Sequence, residues 1–235
     1  MFIPGIVISI IVVCIGFLLS RLKENHRKII LYSLATLLLL YKACEYTIYG
    51  LNLQTTKIPI EFSTMTYFIF SVTVIFKLKK LYSIAAFCAF ISGVGYLLSF
   101  MLIGEQYFSG NGFFLASMAF VNHSIVFLGS MLMIREIKVN RYEANKILKF
   151  TFFYVFYVIL MNQLVQFTQS FIFIRILLGA DVLSTLFPNH MFTSYEYLLY
   201  FLILYIIYRF CISIFFIIAS RMNHQKEGIK HEHTV

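Results

Sequence analysis

Apolar runs of about twenty residues recur along this chain, each closed by a short polar segment. They fall at residues 2–20, 29–49, 58–76, 81–103, 113–134, 150–174 and 195–220. A helix needs about 20 apolar residues to cross the hydrocarbon core of a bilayer. The pattern therefore predicts an all-α, polytopic membrane protein with seven transmembrane helices.

The polar gaps alternate between basic and nearly free of Lys and Arg. Arg21, Lys23, Arg27 and Lys28 fill the first gap, and Lys77, Lys79 and Lys80 the third. Arg135, Lys138, Arg141, Lys146 and Lys149 fill the fifth, and Arg221, Lys226 and Lys230 follow the last run. The opposite gaps hold only Lys57 and Arg175. Alternating helices put all the basic segments on one side, and cytoplasmic loops carry the excess of Lys and Arg. The expected topology has the N-terminus outside and the C-terminus in the cytoplasm.

Composition agrees with a lipid solvent. The 235 residues are 60% hydrophobic and 12% charged, whereas a soluble domain carries about a quarter of its residues as charges. The net charge of +9 suits anionic headgroups on the cytoplasmic leaflet. Its basic residues are scattered and form no nucleic-acid-binding motif, so nucleic acid is not an expected partner. The first run has neither a basic leader nor a cleavage site and reads as a retained anchor. Cys14, Cys44, Cys88 and Cys211 lie apart within the runs, which points to neither a disulfide framework nor a zinc site. No repeat or composition shift marks a second domain. Residues 1–220 form one transmembrane domain, and 221–235 a polar, mobile cytoplasmic tail. The connection 175–194 is broken by Gly179 and Pro188 and is expected on the outer surface or dipping in as a lid.

Ionisable groups inside transmembrane helices are costly, and each raises a question of function. The ionisable and other polar candidates here are Lys42 and Glu45 on the second helix, Glu61 with Ser63, Thr64 and Thr66 on the third, and Asn122 with His123 on the fifth. The sixth adds Asn162, Gln163, Gln166 and Gln169, and the seventh Glu196 and Arg209. Given the expected topology, most fall in the outer half or near the middle, with Arg209 deeper and placed to snorkel. Five helices contributing at overlapping depth suggest one polar pocket open to the outside. Lys42 and Glu45 are three apart and neutralise each other on one helix face. The amides have a plainer use as interhelical hydrogen bonds. Many tyrosines, Tyr41 and Tyr49 among them, sit near run ends as interfacial anchors.

His123 is the only histidine within a run. It reads either as a buried neutral ring held by a hydrogen bond or as a general base. A base needs a nucleophile at about 3 Å and an acidic orienter. Ser63 or Thr64 would supply the first, and Glu61, Glu45 or Glu196 the second. Ser63 and His123 differ in depth by about 8 Å at 1.5 Å per residue, and side chains lean toward the helix N-terminus. The pairing is allowed but not required.

The segments KIPIEFSTMTYF and NHSIVFLGSMLMI, within seven runs, resemble the YwaF-type bacterial integral membrane proteins. That family has an animal relative resembling an ether-phospholipid acyltransferase. Its pattern reads L-P-L-H-L-C at the third helix and S-H-G in the fifth, and the cysteine and the later histidine are thought to be the catalytic pair in the animal relative. Here the proline falls on Pro59, the first histidine on Glu61, the cysteine on Ser63 and the later histidine on His123. Serine is the weaker nucleophile unless a base activates it, although serine–histidine pairs do perform acyl transfer.

The resemblance implies an acyltransferase or hydrolase of membrane lipids in a bacterial cytoplasmic membrane, with Ser63 as nucleophile, His123 as base and Glu61 or Glu45 as orienter. Asn122 or Asn162 would donate to the oxyanion. The pocket would comprise Lys42, Glu45, Thr64, Asn122, Asn162, Gln166 and Glu196. Neither metal nor cofactor is expected, and the partners are membrane lipids. The residues also fit a binding or transport protein for a small polar solute or proton. A third reading is a scaffold whose polar groups only join helices. Whether the chain is an enzyme stays open at this level.

Overall fold

The computed structural model describes residues 2–52, 60–165 and 194–232, and the described residues are almost all helical. In chain order they are α1 (Ile3–Ser20), α2 (Glu24–Leu51), α3 (Phe62–Ile75), α4 (Tyr82–Met133), α5 (Arg141–Val165) and α6 (Ser194–Glu232). Short 3-10 turns at Lys79–Leu81 and Ile134–Glu136 flank α4. α4 folds back at Gly112, whose φ of 76° is open to glycine and strained for other residues. It therefore forms two antiparallel arms, Lys79–Gly110 and Gly112–Glu136.

Among the described residues six helical stretches are long and apolar enough to cross a membrane: Ile3–Ser20, Glu24–Leu51, the two arms of α4, Arg141–Met161 and Leu198–Asn223. The chain has the architecture of a multi-pass membrane protein. α3 matches the third expected crossing but has only 14 residues, about 21 Å at 1.5 Å per residue. The hydrocarbon core is about 30 Å thick. Of the expected sixth crossing, α5 covers the part up to Val165. Residues 166–174 and nearly all of the connection 175–194 lie outside the described residues, as do Lys57 and Pro59.

Several helix ends extend past the hydropathy boundaries, whereas α3 falls short of its run. α2 starts at Glu24 and α5 at Arg141, several residues before their apolar runs, and α6 continues through the polar tail to Glu232. The polar tail is thus helical to that point. Hydropathy marks where lipid stops, whereas Glu, Lys, Arg and Gln are good helix formers on either side of that line. Asn140 sets the start of α5 by accepting a hydrogen bond from the Glu143 backbone N–H at 2.9 Å. α3 ends in a turn that places Lys77 at φ 54°. Leu78 N donates to Thr73 O at 2.9 Å and Lys77 N to Val74 O at 3.2 Å, the bond pattern of a Schellman motif.

Small residues govern the packing, as expected where no hydrophobic force drives helices together. α1 buries Gly5, Ser9, Val12, Gly16 and Ser20, one stripe at helical spacing, against α4. There Phe2 N bonds to Met101 O at 3.1 Å and Ser9 Oγ to Leu97 O at 3.4 Å. The arms of α4 close on each other at Gly93, where an added Cβ would stand 2.5 Å from Phe127 Cβ. α1, α5 and α6 turn large apolar side chains outward, among them Ile10, Phe153 and Phe210, as a lipid-facing surface does.

The basic segments meet at one end of this bundle. Arg27 bonds to Glu136, Lys77 lies over the Tyr32 ring, Ser83 donates to Glu143 and Asn223 Nδ2 donates to Ile137 O. These contacts join the first, third and fifth gaps and the end of the last crossing.

Candidate functional site

α2 carries its charge pair into the bundle because Lys42 continues the buried stripe Leu31, Ala35, Leu38 at spacings of four and three. Lys42 is 7% exposed. Its Nζ donates to Glu45 Oε2 at 2.6 Å, and the Tyr49 hydroxyl donates to Glu45 Oε1 at 3.1 Å. The ammonium also lies 5.0 Å from the Tyr41 ring centroid and 4.8 Å from that of Tyr67 on α3, within cation–π range. The expected Lys42–Glu45 pair is thus formed, with aromatic rings on its other sides.

Three tyrosines extend this pair to the other helices. Tyr41 is in polar contact with Asn122 on the second arm of α4. Tyr46 contacts Thr64, and Tyr67 contacts Ser63 one turn before it. Tyr67 also sets its ring edge-on to His123, with centroids 5.5 Å apart. The His123 ring stacks on Tyr96 of the first arm at 4.0 Å and 7°. His123 Nδ1 lies 3.1 Å from Ser92 O and 3.3 Å from Ser92 Oγ. A carbonyl only accepts, so Nδ1 carries the hydrogen and Nε2 the lone pair. Among the described residues both hydrogen bonds of the ring fall on Nδ1, which leaves Nε2 for another partner.

Lys42, Glu45, Ser63, Thr64, Asn122 and His123 therefore belong to one polar, tyrosine-linked network. It runs from the middle of the bundle, where His123 is central in its arm, toward the end opposite the basic segments, where Ser63 and Thr64 stand in the first turn of α3. Ser63 and His123 are not joined by a hydrogen bond: the serine hydroxyl faces Tyr67, and the imidazole is held by Ser92. Thr66 bonds to Phe62 O at 2.7 Å, a local backbone contact. Glu61 stands at the N-cap of α3, close to Tyr154 of α5, whose hydroxyl donates to Ile60 O at 2.6 Å. Glu196 is half-buried in the first turn of α6. Asn162 and Gln163 are described only as backbone within α5, and Gln166 and Gln169 lie outside the described residues. No three His, Cys, Asp or Glu side chains gather as a metal site among the described residues.

Sequence reasoning missed Ser92, Tyr46, Tyr67 and Tyr96, and it gave Tyr41 and Tyr49 to the interface. The spacing of Tyr49 four residues after Glu45, and of Tyr67 four after Ser63, was the available signal, since such pairs share a helix face. Ser92 and Tyr96 carried no signal, because only folding brings the first arm against His123. In comparison with known proteins, no family model, curated protein or solved structure matches this chain.

Proposed function

We propose that the chain crosses the bacterial cytoplasmic membrane seven times, N-terminus outside and C-terminus in the cytoplasm, and binds or carries a small polar solute or a proton through the network at Lys42. α3, though short, is the third of these crossings and brings the six longer ones to seven. The gathering of basic segments at one end supports the topology.

The observation that carries the function is the Lys42–Glu45 pair, with the lysine buried, the glutamate partly buried and tyrosine rings beside the ammonium. A charge pair inside a bundle is expensive and usually marks a solute or ion path. A polar solute or proton would enter by exchanging with one partner of the pair while the other keeps a counter-charge. The test is flux in reconstituted vesicles, with a pH-sensitive dye for protons and labelled solutes for uptake. Loss of flux in Lys42→Ala and Glu45→Ala, with Ser63→Ala unaffected, supports this reading. Flux unchanged in both charge variants overturns it.

A second reading, acyl transfer between membrane lipids or to water, is supported by the YwaF-type resemblance and by one contact. Tyr67 touches both Ser63 and His123, which ties the candidate nucleophile and base to one side chain. Acyl transfer would need Ser63 Oγ to come to Nε2, with Ser92 on Nδ1 holding the ring in place of an acidic orienter. Labelling by a fluorophosphonate that is lost in Ser63→Ala, with a changed lipid profile in cells lacking the protein, would favour this chemistry. A folded protein that takes no label counts against it.

A further inference from the structure

At the basic end, away from the network above, two guanidinium groups from separate elements lie close together, and among the described residues one carboxylate, Glu136, pairs with the first of them. Arg27 on α2 is 3% exposed, with Nη2 3.3 Å from Glu136 Oε1. Arg135 lies in the turn that ends the second arm, close enough to Arg27 and Arg21 to feel the charge of both. Glu136 is itself shared, because the Tyr82 hydroxyl reaches it too. The Nε atoms of both Arg27 and Arg135 are buried without a hydrogen-bond partner among the described residues.

A buried N–H on a charged group left unmade is costly, and guanidinium forks match the oxygens of a phosphate. We infer that Arg27 and Arg135, with Arg21 at the rim, form a binding site for a phosphate group, supplied by an anionic phospholipid of the adjacent leaflet. Arg27 opens one crossing and Arg135 closes another, so the cluster lies at headgroup level. A bilayer presents phosphodiesters there at high local concentration. Arg21 is exposed and gives an incoming headgroup a first contact. The site holds whichever function the Lys42 network serves.

The experiment measures thermal unfolding of the purified full-length protein in detergent. Phosphatidylglycerol, phosphatidylcholine or inorganic phosphate is added, with chloride of equal ionic strength as the control. Phosphatidylglycerol should raise the Tm by several degrees and phosphatidylcholine should not. Arg135→Gln, which keeps the Arg27–Glu136 bond, should lose about half of that shift or more. Lys23→Gln, an exposed basic residue outside the cluster, should keep it. Arg21→Gln, at the exposed rim, serves in place of Arg135→Gln if that variant fails to fold. An equal shift from inorganic phosphate alone would keep the phosphate site and overturn a lipid as its source. No shift, an equal shift from phosphatidylcholine, or an undiminished shift in the arginine variants overturns the site.

Discussion

The Lys42 ammonium donates to Glu45 at 2.6 Å while lying 4.8 Å from the Tyr67 ring centroid. The charge is therefore balanced along its own helix and contacted from a second one. Removing one partner strands the other inside the bundle. Glu45→Gln should destabilise the protein by about 2–4 kcal/mol, somewhat below the fully buried case because Glu45 keeps 23% exposure. The double variant Lys42→Leu with Glu45→Leu should be more stable than either single loss. Detergent unfolding arranged as a double-mutant cycle measures the coupling; additive losses would contradict it.

Two glycines of α4 differ in what surrounds them. A Cβ at Gly93 would stand 2.5 Å from Phe127 Cβ and 2.8 Å from its Cα, whereas at Gly95 nothing lies within 4 Å. Gly93→Ala must push the arms apart and should cost about 1–3 kcal/mol. Gly95→Ala should gain about 0.5–1 kcal/mol by restricting the unfolded chain. A Tm that falls in the first and rises in the second is the expected result.

Lys77 holds a left-handed φ of 54° at the end of α3, a conformation that costs an L-residue about 1–2 kcal/mol. Lys77→Gly should raise stability by up to about 1 kcal/mol, after losing an outlying contact with the Tyr32 ring at 5.8 Å. Lys77→Val, branched at Cβ, should lower it. Equal melting of all three forms would show that the turn is unstrained.

His123 stacks on Tyr96 with rings 7° apart. His123→Phe preserves the stack but removes the Ser92 hydrogen bond and Nε2, and should cost about 1 kcal/mol. Tyr96→Leu loses the stack and should cost about 1 kcal/mol through it, beyond the change in buried area. If Nε2 serves a ligand, His123→Phe abolishes function while Tyr96→Leu only weakens it. Activity tracking stability in both would make the ring structural.

Topology has its own readout. Single cysteines at Lys23, Lys79 and Lys138 should react with a membrane-impermeant maleimide only from the cytoplasmic face. One at Ser109, beside the turn between the arms of α4, should react only from outside. Labelling of Lys23 and Lys138 positions from opposite faces would refute the arrangement.

The amino-acid order by itself determined that the chain is helical and apolar enough for several crossings. Lipid contact requires about twenty apolar residues wherever the backbone passes, so the signal is local. The pairing of Lys42 with Glu45 was legible for the same reason, since three residues on a helix fix a shared face. Helix ends were less legible: Glu24, Arg141 and the tail after residue 220 are helical although polar, because helix propensity does not stop where lipid does.

Only the tertiary structure decided who surrounds the charges. Ser92 meets His123 across 31 positions, and Tyr67 touches both Ser63 and that ring. Both follow from the close approach of the α4 arms at Gly93 and from how α3 lies against them. Nothing in the local pattern encodes a contact between helices in depth and rotation at once. The polar residues announced a network, and packing chose its members.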